Sequence, residues 1–225
     1  MKFTLGPIMV GAAVPFRGEE MSAIRKEPAA GTVEIGPLGL AGDEQADKQF
    51  HGGPEMALHH YPHDHYQHWR WESGDHPLLD HPGAFGENVS TDGLTETEVW
   101  IGDRFRLGTA LVEISQGRQP CWKIDHKFAR SGMTARVMKT ARAGWFYRVI
   151  EAGRVAAGDP LELVERGHEG WDVARVFRAI FHKPTPTAEL VGVARLERLA
   201  QEWRERALEK AVLQEGKAHR RQDRG

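Results

Sequence analysis

The chain has 225 residues, 40% of them hydrophobic and 28% charged, which suits one sizeable domain or a medium domain with a smaller companion and excludes a disordered composition. A formal charge of -2 and a pI near 6.6 argue against a general nucleic-acid-binding surface. A single cysteine, Cys121, rules out an internal disulfide framework and multi-cysteine zinc or iron–sulfur sites.

No stretch approaches the roughly 18 uncharged apolar residues of a membrane span. The N-terminus lacks the apolar run of a secretory signal, and a reducing cytoplasm is the expected compartment. Residues 1–165 carry 17 basic and 23 acidic groups, whereas residues 166–225 carry 13 basic and 9 acidic and turn to helical periodicity. The expected division is a β unit over 1–166 and a three-helix domain over 167–225.

From the N-terminus, Phe3 to Val14 predicts a glycine-broken opening strand limited by Pro15. Short strands are expected at 22–25, 32–35 and 55–60. Pro62 fits the first turn of a helix running to about Trp71, with Tyr66 and Trp69 on one face. Thr95 to Ile101 predicts a strand, and alternation from Leu107 to Ile114 predicts another. The stretches 133–138 and 141–150 suggest helical turns, with Ser131 as a candidate cap. Leu161 to Val164 reads as a closing strand. Several short strands with Gly/Pro turns predict a barrel or another closed all-β unit. Beyond it, three short helices are expected. Val173, Val176, Phe177 and Ile180 form the first stripe, Thr187 is a candidate cap for the second helix, and the third spans about 199 to 213.

The stretch with the most pointed chemistry is QGRQPCWK, residues 116–123. Cys121 follows a strand end and a proline, with Arg118 and Lys123 close on either side. Neighbouring cations favour thiolate over thiol, and a thiolate suits a soft or high-valent metal. The alternative is a small buried apolar residue that never reacts. Lys48 and His51 flank a glycine-rich loop that, with Arg118, could grip a phosphate or an electron-rich ring, or could be hairpin glycines with surface charges. Glu87 and Asn88 could fix a ligand or tie two loops together. Asp43 could orient His51 or cap a turn. Eight of the twelve histidines fall between His51 and His81, but without HExxH spacing, so packing and exposure explain them better than zinc.

Three separated motifs resemble the MOSC-domain family, named for the molybdenum cofactor sulfurase C-terminal domain: residues 39–66, 85–108 and QGRQPCWK. Within that family the order of motifs, GWFYRV at 144–149 and the helical tail resemble the YiiM-like bacterial branch. The resemblance implies a mainly β fold with some α: a MOSC-type β-barrel-like domain followed by a small three-helix domain. It implies binding of the molybdenum cofactor, molybdopterin, a pterin dithiolene with a terminal phosphate. Cys121 falls at the position of the expected molybdenum thiolate ligand. His51 lies in the His-Gly-Gly element and is the candidate for proton delivery or pterin contact. Arg118 lies in the Arg-x-Pro-Cys element. Asp43, Lys48, Glu87, Asn88 and Lys123 complete the expected cofactor-binding set. His60, Tyr61, Pro62, His65, Tyr66 and Trp69 match the branch pattern, whereas His59, His63 and His68 do not.

The implied activity is reduction of N-hydroxylated compounds such as 6-hydroxylaminopurine, with electrons from a separate reductase and no direct role for nucleic acid or membrane. A non-redox cofactor or sulfur carrier using Cys121, and a stress-related binding module without turnover, are the alternatives.

Overall fold

The computed structural model describes residues 1–46 and 52–222. The chain runs as β1 (Lys2–Thr4), β2 (Met9–Val10), β3 (Val14–Arg17), β4 (Glu20–Ser22), β5 (Glu27–Pro28), β6 (Val33–Gly36), β7 (Gly39–Leu40) and β8 (Leu58–His60). There follow α1 (Asp64–Ser73), β9 (Arg104–Leu107), β10 (Ala110–Gly117), α2 (Lys123–Lys127) and α3 (Met133–Thr140). The chain closes with β11 (Trp145–Glu151), β12 (Gly153–Val155), β13 (Pro160–Glu165), α4 (Val173–Phe181), α5 (Thr187–Ala194) and α6 (Gln201–Gln222).

Six of these strands form one antiparallel sheet in the order β1-β13-β9-β10-β11-β8. The order is open, with β1 and β8 at its edges, and smaller two- and three-stranded pieces lie beside it. The fold is therefore mixed α/β around an open sheet, in place of the expected barrel-like closure. Strand β10 is the spine. All but one of its residues are buried, which requires cover on both faces. Val112 pairs with Phe105 on one side and Val149 on the other, and Gly117 pairs with Trp145 at the far end.

Several local expectations give way to tertiary structure. The alternation from Leu107 to Ile114 spans a hairpin, because Gly108 takes φ +56° and turns the chain between β9 and β10. A Cβ on Gly108 would overlap the Arg154 carbonyl oxygen. Trp145–Glu151, expected to be helical, is strand β11, because its aromatic and branched residues fill the place between β10 and β8. Thr95 to Ile101 is a turn rather than a strand. Glu98 Oε2 accepts from the Thr95 N–H at 2.8 Å and its hydroxyl at 3.1 Å, holding the backbone away from a ladder.

Neither proposed cap holds. The first turn of α3 is bonded by Asp125, which accepts from Gly132 N and Thr134 N, while Thr187 lies inside α5 and donates its hydroxyl to Gln214.

The last three helices share one buried core with the sheet. Val173, Phe177 and Trp203 belong to the same buried cluster as Phe105, Ile114 and Trp145. Helix α4 buries its predicted stripe, capped by Asp172, whose side chain accepts from Arg175 N at 2.8 Å. Helix α6 runs for 22 residues, well beyond a short element. The Ala200 N–H, just before α6, donates to Ser115 O of β10 at 2.9 Å. Among the described residues, no helix is long and apolar enough to cross a membrane.

Candidate functional site

The end of β10 delivers the Arg-x-Pro-Cys loop to the edge of the sheet. Two anchors fix that loop. The Arg118 N–H donates to Gly144 O at 3.0 Å, and Cys121 O accepts from the Ile124 N–H at 3.1 Å and the Thr134 hydroxyl at 3.0 Å. Between these anchors the loop borders a cavity of about 410 Å³. Cys121, Arg118, Lys123, Asp43 and Asn88 all line it. Five of the eight residues singled out from sequence thus meet on one wall set, although Asp43 and Cys121 are 78 positions apart.

Cys121 is half-buried on this wall. Arg118 is nearly sealed, at 7% exposure, and its Nη1 has no hydrogen-bond partner among the described residues. Burial holds its pKa below the usual guanidinium value, with the Cys121 sulfur the largest opposing influence. A buried cation with an uncommitted N–H is costly unless a ligand answers it. Lys123 is also buried, and its ammonium pairs with Glu20 at 3.4 Å.

Asp43 and Asn88 tie loops together while facing the cavity. Asn88 Oδ1 accepts from the His59 N–H at 2.9 Å, and its Nδ2 donates to Met9 O at 3.1 Å and Asp43 Oδ2 at 2.8 Å. Asp43 Oδ1 also accepts from the Gly11 N–H at 2.8 Å and pairs with Lys26. Of the two roles left open for Asn88, the loop-tying one is in place. For Asp43, the structure supplies backbone and Lys26 partners.

Glu87 is placed differently. It is fully buried and is not on the cavity wall. Its Oε1 accepts from the Tyr66 hydroxyl and the Gly83 N–H, and its Oε2 accepts from the Phe85 N–H. These partners make Glu87 a brace for the 83–88 loop, which departs from its expected cofactor contact. Lys48 and His51 lie outside the described residues.

One lining residue, His59, falls outside the set expected from sequence. The two-residue period of β8 sends His59 and His60 to opposite faces. His59 reaches the cavity, with its ring 5.1 Å from Phe146 and Nε2 3.3 Å from Ala143 O. Burial, then the Arg118 charge, holds its pKa well below the ordinary histidine value, so the ring is neutral. His60 stacks on Trp145 at 4.3 Å, and burial lowers its pKa to about 3. The strand expected at 55–60 puts Ala57 and His59 on one face, and both line the cavity. The other clustered histidines are engaged separately: His63 with Asp92, His65 with Glu96 and His68 with Glu72.

Helix α6 adds two residues that no local pattern marks for the site. Glu202 and Trp203 complete the cavity wall from about 80 positions downstream of Cys121. Arg206 Nη1 donates to Gln119 Oε1 at 2.7 Å, joining the same helix to the cysteine loop.

With this geometry in view, the comparisons with known proteins agree. A family model described as the MOSC domain matches residues 47–162. Protein YiiM of Escherichia coli is 49% identical over 145 residues, 64% of this chain and 65% of that protein. YflK of Bacillus subtilis is 40% identical over 183 residues, 81% of each. A protein of Gibberella moniliformis named Reductase is 41% identical over 164 residues, 72% of this chain and 29% of that protein. The chain thus spans just under two thirds of YiiM and less than a third of the fungal protein. The crystal structure of Escherichia coli YiiM superposes with a TM-score of 0.79 and 32% identity, covering 94% of this chain and 93% of that one. The chain belongs to the MOSC-domain family, in its YiiM-like bacterial branch.

Proposed function

We propose that the chain is a molybdenum-cofactor-dependent reductase of N-hydroxylated compounds, with Cys121 as the metal's thiolate ligand and a separate reductase as electron donor. One observation carries this reading. The half-buried Cys121 and the uncommitted, buried Arg118 Nη1 line the same cavity. A sulfur donor beside an unanswered cation fits an anionic, metal-bearing ligand. The fungal relative's name, Reductase, points to the same class of chemistry.

In this reading each residue has a limited task. Cys121 Sγ is offered to the metal, and Arg118 neutralises cofactor charge from the buried side. Asn88 and Asp43 hold the 9–11 and 86–88 segments against the cavity. Lys123 adds positive potential near the cysteine loop. His59 presents a neutral ring that adds no charge to the wall. Lys48 and His51 enter through the sequence resemblance, His51 for proton delivery or pterin contact. When bound, the cofactor supplies the two-electron exchange that cleaves the N–O bond. The net change is R–NHOH plus two electrons and two protons to R–NH2 plus water.

The test is molybdenum content and reductase activity, with a reduced viologen dye as electron source, in wild type and Cys121→Ser. Stoichiometric metal and turnover are expected in the wild type alone. Equal metal in both proteins contradicts ligation by Cys121. A Cys121 persulfide without metal would support the carrier reading instead.

A further inference from the structure

The charges on the cavity wall are unequally committed. Lys26 pairs with Asp43, Lys123 with Glu20, and Glu44 Oε2 accepts from the Ala13 N–H at 2.7 Å. Among the described lining residues, Glu44 has no ion pair and keeps one carboxylate oxygen free, and two groups of opposite sign lack any hydrogen-bond partner. Arg118 Nη1 sits buried, without a partner among the described residues. Glu202, exposed on the first turn of α6, makes no hydrogen bond or ion pair with any described residue. Arg118 is buried and Glu202 is exposed, so of the two the carboxylate is the one open to solvent.

Glu202 is also held in place. Its neighbour Trp203 is buried against Gly117, the residue before Arg118. Ala200 is bonded to β10, and Arg206 is bonded to Gln119 of the cysteine loop. A carboxylate on a helix clamped at three points is a better recognition group than one on a loose side of the opening. It would repel an anionic cofactor, so its favourable partner is a different molecule.

We propose that Glu202 selects the substrate at the mouth of the cavity by accepting from its nitrogen end. The preferred class carries N–H donors or a cationic amidine-like group beside the N–OH nitrogen. The substrate part of this inference rests on the reductase reading, whereas the recognition of a cationic nitrogen group does not.

The experiment is calorimetric binding of benzamidine, a planar cation, and benzamide, its neutral counterpart, to wild-type holoprotein, Glu202→Gln and Glu202→Asp. Wild type is expected to prefer benzamidine by about tenfold or more, the scale of one charge-assisted hydrogen bond. Glu202→Gln should erase that preference, and Glu202→Asp should keep part of it. No benzamidine preference in wild type, or the same preference in Glu202→Gln, overturns the proposal.

A parallel assay follows benzamidoxime reduction with the viologen dye. Glu202→Gln should raise KM about tenfold with kcat within about twofold. Turnover with an unchanged KM sinks the assignment of Glu202 and leaves the reductase reading standing. No wild-type turnover, alongside a Glu202-dependent benzamidine preference, sinks the reductase reading and leaves Glu202 as a binding group.

Discussion

Gly117 and Trp203 meet where the sheet, the cavity and the last helix join. A Cβ on Gly117 would stand 3.0 Å from Trp203 Cη2 and 3.3 Å from Val173 Cγ1. The absence of a side chain at the end of β10 lets the indole of α6 pack against the strand just before Arg118. Both neighbours are buried, and although Trp203 also borders the cavity, a methyl at 117 requires the indole or Val173 to give by a few tenths of an ångström. Gly117→Ala should therefore cost about 1–3 kcal/mol, in the range of core overpacking. Urea unfolding measures it directly. An unchanged midpoint would mean that α6 shifts freely, contrary to the packing described.

A second prediction concerns Lys127, whose ammonium ties α2 to two other segments. It donates to Ile24 O at 2.8 Å and to Gly83 O. Burial is the main cause that lowers its pKa to about 8. An unfolded lysine titrates near 10.4, so between pH 8 and 10.4 the unfolded chain binds more protons than the folded one. Stability from this group must rise with pH across that window, by about 3 kcal/mol in total. Below pH 8 the penalty of the buried charge is fully present. Lys127→Met should flatten the rise relative to wild type in urea midpoints at pH 7.5, 9 and 10. Parallel curves for the two proteins would refute the assigned cause.

Much of the cavity was legible because its residues are close in sequence to glycine or proline landmarks. Arg118 and Cys121 flank Pro120, and Asn88 follows Gly86. Sequence spacing does not reveal which way a carboxylate turns, and Glu87 turns inward to Tyr66 and two backbone N–H groups. Periodicity failed where a glycine matched the alternating pattern, as at Gly108, and where a run of aromatic and branched residues suits a strand or a helix alike, as at Trp145–Glu151. Thr95 to Ile101 has strand-like composition, but the Glu98 carboxylate competes for its backbone. Glu202 and Trp203 had no local signal at all, because only the docking of α6 brings them to Cys121.

Acid should expose the cost of the buried histidines. His60 is sealed between Trp145, Tyr147 and Thr91, with ring nitrogens 3.1 Å from the Tyr147 hydroxyl oxygen and 3.0 Å from the Thr91 Oγ1. Burial takes its pKa to about 3, whereas an unfolded histidine protonates near 6.5. Its contribution is complete above pH 6.5 and is lost as pH falls toward 3, at about 1.4 kcal/mol per pH unit. His60→Gln retains polar atoms but does not titrate, so stability between pH 6.5 and 4.5 should fall less steeply by about one proton's worth. Equal slopes in equilibrium unfolding would show that His60 protonates without penalty in the fold.

The sharpest separation of function from stability is expected at Arg118. Its burial without a hydrogen-bond partner for Nη1 is a cost to the fold, and burial is the leading cause that lowers its pKa. Methionine matches the length of its apolar stem and brings no charge. In protein from molybdate-free cultures, Arg118→Met should raise stability by about 1–3 kcal/mol, because it removes a buried charge that has an unanswered N–H. In protein from molybdate-supplied cultures, the same substitution should lower molybdenum content well below that of wild type. The opposite signs are the signature of a residue kept for a ligand rather than for the fold. A variant that is destabilised without molybdate, yet keeps its metal, would identify Arg118 as a structural cation and remove the main support for an anionic guest in this cavity.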